Sequence, residues 1–231
     1  MNRENIIDII KTSSNRSVKQ MGEYYLTGDT KIFVTEPLPE NIDINNIITF
    51  LKTRIPHKFI SLVDVIYIGQ FDHLKQRNVN AIFLEGALYI TNEQDNEKDM
   101  IDDVIHEIAH AAEKRYQSFL YTDQKIKNEF LRKREVLRRT LKYEGYAIDP
   151  EYYQNAEYNV EFDDFLYKEI GYPKLRTLSQ HIFASPYAAT SLREYFADGF
   201  EDYYLGKRRN LKEISPVLYS KLEELENEES Y

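Results

Sequence analysis

Two histidines four residues apart, with a glutamate directly after the first, are the residues of this chain best suited to chemistry: His106, Glu107 and His110. On a helix, residues i and i+4 lie one above the other, so both imidazoles can bind the same metal ion. The glutamate is turned away from the pair, where it can take a proton from water without becoming a ligand. This pattern predicts one zinc ion per chain and hydrolysis by activated water, with Glu107 as general base.

The segment around these residues has a capping residue, an apolar stripe and a basic last turn, as expected of a helix. Asp95 or Asn96 can cap its first turn, and Lys114 and Arg115 suit its last turn. Its apolar residues recur at three-to-four spacing and predict a buried stripe of Ile101, Val104, Ile105, Ile108 and Ala112. Because chance matches to the motif often fall where no helix forms, this context favours a metal site over a pair of core histidines.

A catalytic zinc site needs a third protein ligand and an open position. The chain has no cysteine, and its other three histidines have no partner at ligand spacing, so a carboxylate is the better candidate. A second helix is predicted over residues 191–206, with Glu194 and Asp198 at i and i+4. Glu194 can then bind the zinc ion, while Asp198 accepts the free ring N–H of a ligand histidine.

Two alternatives to this role of Glu194 stay open. Ser191 and Glu194 also fit a capping box, in which the glutamate only bonds the backbone at the helix start. Glu113, one turn after His110, is a second carboxylate near the motif, although a solvated helix end explains it well.

Composition excludes some classes of protein. The net charge of −9 argues against nucleic-acid binding, and 42% hydrophobic residues are enough for a core. The first residues contain no long apolar run, so we expect neither a secretory signal nor a membrane span. The expected compartment is the cytoplasm, and export without a signal peptide, as some toxins and phage products use, is the alternative.

The order of predicted elements favours an α+β fold. Strands are predicted at 31–35 and 61–69, and a hairpin at 80–92 turns near Glu85 and precedes the metal helix. The remaining chain is mostly helical. We therefore expect a small mixed sheet with an active-site helix and a mostly helical C-terminal part. The predicted domains are a catalytic domain at 61–231 and an N-terminal segment at 1–60, which is a separate piece or integral to that domain.

A sheet edge beside a metal cleft can bind an extended peptide as an added strand. The predicted edge is Ala87–Asn92, and an ordinary structural strand is an equal alternative. The predicted substrate-binding residues on it are Ala87, Leu88, Tyr89 and Ile90.

A basic helix at 123–143 is followed by an acidic stretch at 144–169. Its predicted apolar stripe contains Ile126, Phe130, Val136 or Leu137, and Leu141. One interpretation of the segment is a docking surface for an acidic partner or nucleic acid. The favoured interpretation is a solvated helix whose charges partly pair with the acidic stretch.

Two segments resemble the anthrax lethal factor-like zinc peptidases, a family that includes the lethal factor catalytic domain and the clostridial Pro-Pro endopeptidases. The specific matches are residues 106–113 and residues 187–222, with Arg193-Glu-Tyr-Phe-Ala-Asp-Gly-Phe as the most distinctive run. In the order of elements the resemblance covers about residues 60–231. It implies a zincin-like fold of the gluzincin type.

The resemblance also implies roles for single residues. Glu194 corresponds to the third zinc ligand, and Tyr187, seven residues earlier, to a donor of a hydrogen bond to the oxyanion. The gap between His110 and Glu194 is longer than in the family, which indicates a charged helical insertion at about 120–165. No specificity loop of the family is found, so its cleavage preferences do not transfer.

These patterns together predict a zinc-dependent endopeptidase that acts on a peptide or protein substrate. One alternative is a zincin-fold binding or toxin-like interaction module without peptidase activity, which would have no need of Glu107. Another is a metallohydrolase of non-peptide substrates, because water activation by zinc is general chemistry.

Overall fold

Five short strands form a mixed sheet in the first of the two units, Met1–Ala111 and Ala112–Tyr231, into which the chain divides. The computed structural model describes residues 21–228, so the first 20 residues of the predicted N-terminal segment lie outside the described residues. The strands are β1 (Gly22–Tyr25), β2 (Lys31–Val34), β3 (Val65–Gly69), β4 (Ala81–Leu84) and β5 (Ala87–Thr91).

The spatial order of the strands is β1-β2-β3-β5-β4. Strands β2, β3 and β5 run parallel, whereas β1 pairs antiparallel with β2 and β4 antiparallel with β5. The predicted hairpin is confirmed, because Glu85 and Gly86 both adopt positive φ in the two-residue turn between β4 and β5. Strands β1 and β2 precede residue 61 and are part of this sheet.

Alternation along the strands gives the sheet one apolar face. Its buried side chains are Ile32, Val34, Ile66, Ile68, Leu88 and Ile90. The opposite face carries a row of half-buried rings, in which Tyr67 stacks on Phe33 and on Tyr89 at centroid distances of 5.6 and 5.4 Å. The period of two therefore places aliphatic and aromatic residues on different faces.

The helices of this unit are α1 (Ile44–Arg54), α2 (His57–Ile60), α3 (Asp72–Arg77) and α4 (Glu97–Tyr121), which ends in the second unit. Asp43 caps α1 by accepting the N–H of Asn45 at 3.0 Å. The Glu97 carboxylate at the start of α4 accepts the backbone N–H of Asp43 at 2.8 Å. One hydrogen bond thus ties the beginning of α4 to the beginning of α1.

The predicted helix around the histidines is confirmed as α4. Asn96 is its cap, because the Asn96 side-chain oxygen accepts the N–H of Asp99 at 3.1 Å. All five residues of the predicted stripe, Ile101, Val104, Ile105, Ile108 and Ala112, are buried. The helix is longer than predicted: it ends at Tyr121 after a departure from helical geometry at Tyr116 (φ −107°, ψ 17°) rather than near Arg115.

The described residues of the second unit, 112–228, form helices joined by turns and loops, with no strand among them. After the end of α4 it contains α5 (Lys125–Tyr143), α6 (Pro150–Gln154), α7 (Val160–Asp164), a π-helical turn (Phe165–Ile170), α8 (Tyr172–Ser179), a 3₁₀ turn (Tyr187–Ala189), α9 (Leu192–Tyr204), α10 (Arg208–Ile214) and α11 (Pro216–Asn227). The predicted α+β class, with a small mixed sheet and a mostly helical C-terminal part, is confirmed.

Helix α5 is the predicted basic helix, and neither interpretation of its charges fully describes it. Leu137 rather than Val136 completes the apolar stripe, since Leu137 is buried and Val136 is exposed. On the exposed side Glu135 accepts hydrogen bonds from Arg138 and Arg139 of the same helix. The buried side holds three charged residues, Glu129, Lys133 and Arg134.

Close packing in the second unit depends on a glycine. A Cβ atom on Gly199 of α9 would lie 2.3 Å from Cδ2 of the buried Leu218 of α11. The missing side chain therefore lets these two helices approach each other.

Within residues 21–228, none of the helices combines the length and the apolar composition that a membrane crossing requires.

Candidate active-site residues

His106 and His110 lie one turn apart on α4, and their rings meet at right angles with centroids 4.9 Å apart. Potential ligand atoms of these two residues and of Glu107 all lie within 4.8 Å of one another. His110 is buried and His106 is half-buried. Because imidazole and carboxylate are ligands that zinc prefers, the donor set fits the predicted ion.

The Glu107 carboxylate is held by the sheet of the same unit. Its Oε2 atom accepts the backbone N–H of Phe83 at 2.6 Å, and the side chain is 8% exposed. Phe83 belongs to β4, which ends the sheet within the described part of the chain. An edge strand therefore orients the carboxylate that sequence predicts to be the general base.

Sequence reasoning missed this role of Phe83, because a backbone N–H can be donated by almost any residue type. The hairpin contained one indication. Leu84 and Ala87 flank the two-residue turn and form its first pair, so the N–H of Phe83 points away from β5. The metal helix follows the hairpin and carries the Glu107 carboxylate, which is a natural acceptor for this outward-directed N–H.

The prediction that Ala87–Asn92 forms the sheet edge is wrong. Strand β5 lies between β3 and β4 and pairs with both, so its backbone groups are used within the sheet. The edge belongs to β4, the other strand of the hairpin, because β5 pairs with β3 on its far side. Leu88 and Ile90 are buried, and Ala87 and Tyr89 are half-buried. A contact of these four residues with substrate stays a prediction.

In the second unit, α9 carries Glu194 and Asp198, and both side chains are buried. The Ser191 hydroxyl oxygen accepts the backbone N–H of Glu194 at 3.2 Å and caps the helix. This bond uses the backbone of Glu194 and not its carboxylate, so the cap and a ligand role are compatible. Phe196, Phe200 and Tyr203 of the same helix are also buried, so α9 is enclosed on most sides.

The alternative carboxylate, Glu113, does not lie at a solvated helix end as expected. Its Oε1 atom accepts the hydroxyl of Tyr121 at 2.6 Å, and Arg193 lies 3.8 Å from its Oε2 atom. These two partners in the second unit explain the residue as part of the local structure of α4.

Tyr187 opens the short 3₁₀ turn before α9. The Ser185 hydroxyl oxygen accepts the backbone N–H groups of Tyr187 and Ala188 at 3.1 and 3.3 Å. Thr190 then donates its hydroxyl to the Tyr187 carbonyl at 2.8 Å. Local hydrogen bonds therefore fix the backbone of this turn, while the Tyr187 side chain is 36% exposed.

Tyr187 lies among acidic and phenolic groups of the same unit. Burial, followed by the charges of Glu194 and Asp163, raises the pKa of the Tyr187 phenol above its usual range. The phenol therefore keeps its proton at neutral pH and can donate a hydrogen bond. Tyr158 donates its hydroxyl to Asp163 at 2.8 Å, and Tyr172 is a further neighbour.

The predicted residues belong to two helices, α4 and α9, and to the 3₁₀ turn before α9. The first unit brings His106, Glu107 and His110 together around one turn of α4. The second unit places Tyr187 within reach of the charge of Glu194, and Asp198 follows one turn later on α9.

No protein-family model, no curated protein and no solved structure matches this chain. The resemblance to lethal factor-like peptidases therefore rests on the motifs of the sequence itself. The zincin-like fold, the peptidase activity and the roles of Glu194, Asp198 and Tyr187 stay predictions.

The remaining histidines have other surroundings. His57 begins α2, the His73 ring contacts Tyr89 at a centroid distance of 4.9 Å, and His181 is exposed. None of the three belongs to a metal-ligand group found among the described residues.

Arg134 is a second residue that sequence reasoning missed. The predicted apolar stripe of α5 has a gap between Phe130 and Leu137, and position 134 fills it with the right helical spacing. A charged residue on a buried stripe is an indication of a buried polar contact. The abundance of other basic residues in this helix concealed it.

Proposed function

We propose that this chain is a zinc-dependent endopeptidase with a zincin-like fold. The observation that carries the proposal is the group formed by His106, Glu107 and His110, in which an edge strand donates a backbone N–H to the central carboxylate. A pair of histidines that could hold a metal ion, an oriented base and a strand edge are three of the parts that zinc-dependent peptide hydrolysis requires.

His106 and His110 would hold the zinc ion, and the resemblance and the spacing make Glu194 the third protein ligand. Asp198 would accept the free ring N–H of one ligand histidine and fix its orientation. When bound, zinc supplies Lewis acidity, which makes water a competent nucleophile near neutral pH and polarises a carbonyl.

Glu107 performs the proton transfers in this proposal. Its carboxylate takes a proton from the attacking water and later delivers it to the leaving amine. The hydrogen bond from Phe83 holds the carboxylate in one orientation throughout, so little reorganisation accompanies the reaction.

Tyr187 would donate a hydrogen bond from its phenol to the oxyanion that forms when water attacks the scissile carbonyl. The fixed backbone of its 3₁₀ turn supports this role, since a donor contributes most when it is positioned before the reaction.

The substrate would bind as an extended strand along β4. The Phe83 N–H is directed at Glu107, so the backbone groups on this side of β4 are close to the general base. A peptide that pairs with this edge brings its own backbone to the same place. The edge strand thus replaces Ala87–Asn92 as the proposed substrate-binding strand, and peptides become the favoured substrate class over small non-peptide molecules.

Cleavage of a proteome-derived peptide library by zinc-loaded protein, read by mass spectrometry, tests this function. The matched control is Glu107→Gln, which keeps the size and the burial of the side chain but removes the base. We expect cleavage by the wild type alone, with equal zinc content in both proteins.

Cleavage by both proteins would remove Glu107 from the mechanism. Absence of cleavage by wild-type protein that holds one zinc ion would favour the binding or toxin-like interaction module.

A further inference from the structure

Arg134 of α5 is a buried cation whose hydrogen bonds all reach backbone carbonyls. Its side chain is 1% exposed. Nε donates to Ala189 O and Nη2 to Thr190 O, both at 2.9 Å, while Nη1 donates to Tyr152 O at 2.9 Å and also to Asn155 O. One guanidinium group therefore joins α5 to two separate segments of the second unit.

This cation is stabilised without a carboxylate partner among the described residues. Its guanidinium carbon lies 4.3 Å from the ring centroid of Phe162 and 5.0 Å from that of Phe130. Removing a cation from water is costly even when carbonyl dipoles and aromatic rings compensate in part. An apolar side chain would pack here at a lower desolvation cost, but it would bind no carbonyl. The function of the arginine is therefore to hold these carbonyls in position.

Two of the bound carbonyls, those of Ala189 and Thr190, lie between the predicted site residues Tyr187 and Glu194. Ala189 ends the 3₁₀ turn that begins at Tyr187, and Thr190 directly precedes the helix cap Ser191. Thr190 also donates its backbone N–H to the Tyr187 carbonyl at 2.9 Å. Through Thr190, the guanidinium group is one hydrogen bond away from the backbone of Tyr187.

The second segment that Arg134 binds supports the same helix. Asn155 is followed by Ala156, whose carbonyl accepts the backbone N–H of Leu192 in the first turn of α9 at 2.8 Å. Arg134 therefore acts on the beginning of α9, and hence on Glu194, from two directions.

We propose that Arg134 is a positioning residue, which holds the Tyr187 turn and the first turn of α9 in the geometry that the reaction needs. The inference rests on the proposed function for its chemical consequence. It gives the predicted insertion at about 120–165 a function, because both Arg134 and the 152–156 segment belong to that stretch.

The neighbouring residue offers a matched control. Lys133 is also a buried cation of α5, but its ammonium group donates to Ile182 O and to Ser215 Oγ, the latter at 2.9 Å. Its removal also deletes a buried charge, yet it leaves the carbonyls of residues 189 and 190 bound. The variants Arg134→Met and Lys133→Met therefore separate positioning of the turn from general loss of stability.

Hydrogen exchange of the backbone amides at 187–195, measured by mass spectrometry on the full chain, is the primary test. We expect Arg134→Met to accelerate exchange at these amides about tenfold or more relative to Lys133→Met, after correction for global stability. Arg134→Lys should fall between, because one ammonium group cannot reach all four carbonyls. If Arg134→Met does not fold, Arg134→Lys against Lys133→Met carries the comparison. Equal exchange in the compared arginine and lysine variants would overturn the proposal.

Steady-state kinetics provide the second test. Arg134→Met should lower kcat by about tenfold or more with little change in KM, and Lys133→Met should change neither by more than about threefold. Wild-type protein that neither binds zinc nor cleaves peptides would refute the proposed function, while the exchange comparison would still decide whether Arg134 holds the turn. An active wild type with an equally active Arg134→Met variant would refute only the positioning role.

Discussion

Each unit of this protein contains a buried glutamate on a long helix, and the two carboxylates have different partners. Glu107 of α4 accepts one hydrogen bond, from the backbone of Phe83. Glu129 of α5 accepts three, from the Tyr195 hydroxyl at 2.8 Å and from the N–H groups of Val217 and Leu218 at 2.9 and 3.0 Å. Burial is similar, at 8% and 5% exposure.

The number of partners separates the two functions. A carboxylate offers about four acceptor positions, so Glu129 is nearly saturated and Glu107 is not. Glu129 also lies at the N-terminus of α11, where the helix dipole favours its negative charge. Glu107 keeps acceptor capacity beside two histidines and is therefore suited to proton transfer. Glu129 is nearly saturated and therefore stabilises the structure.

Replacing Glu107 should have the largest effect and should spare stability. We expect Glu107→Gln to lower kcat/KM by about 10²–10⁴-fold, because general base catalysis is lost. The unfolding midpoint in denaturant and the zinc content should stay near those of the wild type. A variant that is inactive because it has lost its zinc would assign Glu107 to metal binding instead.

Two tyrosines of the second unit, Tyr187 and Tyr195, should also differ in function. Tyr187→Phe should lower kcat about 10²-fold with little change in KM, because a donor to the oxyanion is lost. Tyr195→Phe removes the hydroxyl that bonds Glu129 and should cost only about 1 kcal/mol of stability. Steady-state kinetics of both variants decide the matter, and an equal loss of kcat in both would contradict the assignment of Tyr187.

Replacing Glu129 should affect stability rather than chemistry. In Glu129→Gln the amide NH₂ replaces one of the two oxygens and faces one or two of the three hydrogen-bond donors. We therefore expect a loss of about 2 kcal/mol in the free energy of unfolding. Urea denaturation measures this loss, and kcat measured well below the midpoint should be within about threefold of wild type. A large loss of kcat with unchanged stability would reverse the roles of the two glutamates.

The smallest expected effect concerns Lys133, close to Glu129. Its titration should make the free energy of unfolding depend on pH. Burial lowers the pKa of the Lys133 ammonium group to about 8, against 10.5 for the unperturbed group. Between these values the unfolded chain binds more protons than the folded one, so this residue makes stability rise with pH by at most about 1.4 kcal/mol per unit. Urea titrations from pH 7.5 to about 9, where most tyrosines of the unfolded chain are still protonated, should show a steeper rise in wild type than in Lys133→Met. Parallel curves would contradict the shift.

Much of the first unit could be predicted from sequence because its determinants are local. Helix α4 has a cap, a regular apolar stripe and the metal motif within 25 residues, and the hairpin has a two-residue turn with positive φ. The exception was the edge strand. Which strand of the hairpin pairs with β3 depends on contacts distant in sequence, so local patterns do not distinguish Ala87–Asn92 from β4 as the edge.

The second unit was less predictable because polar residues determine much of its structure. Periodicity predicts the helices at 123–143 and 191–206, and the apolar stripe of the first can be completed by Val136 or Leu137. The hydrogen-bond partners of the buried charges on α5 cannot be predicted in this way. The carbonyls of residues 152 and 189 are backbone groups, which every residue type offers. Arg134 therefore looked like one basic residue among many, and the insertion looked like a surface feature.

Zinc binding by histidine variants tests the central claim most directly. Equilibrium dialysis followed by elemental analysis would compare wild type with His106→Ala and His110→Ala, and with His57→Ala as the matched control. We predict one zinc ion per chain in wild type and in His57→Ala, and a loss of affinity of about 10²-fold or more in the other two variants. Retention of full zinc affinity in both His106→Ala and His110→Ala would contradict the account.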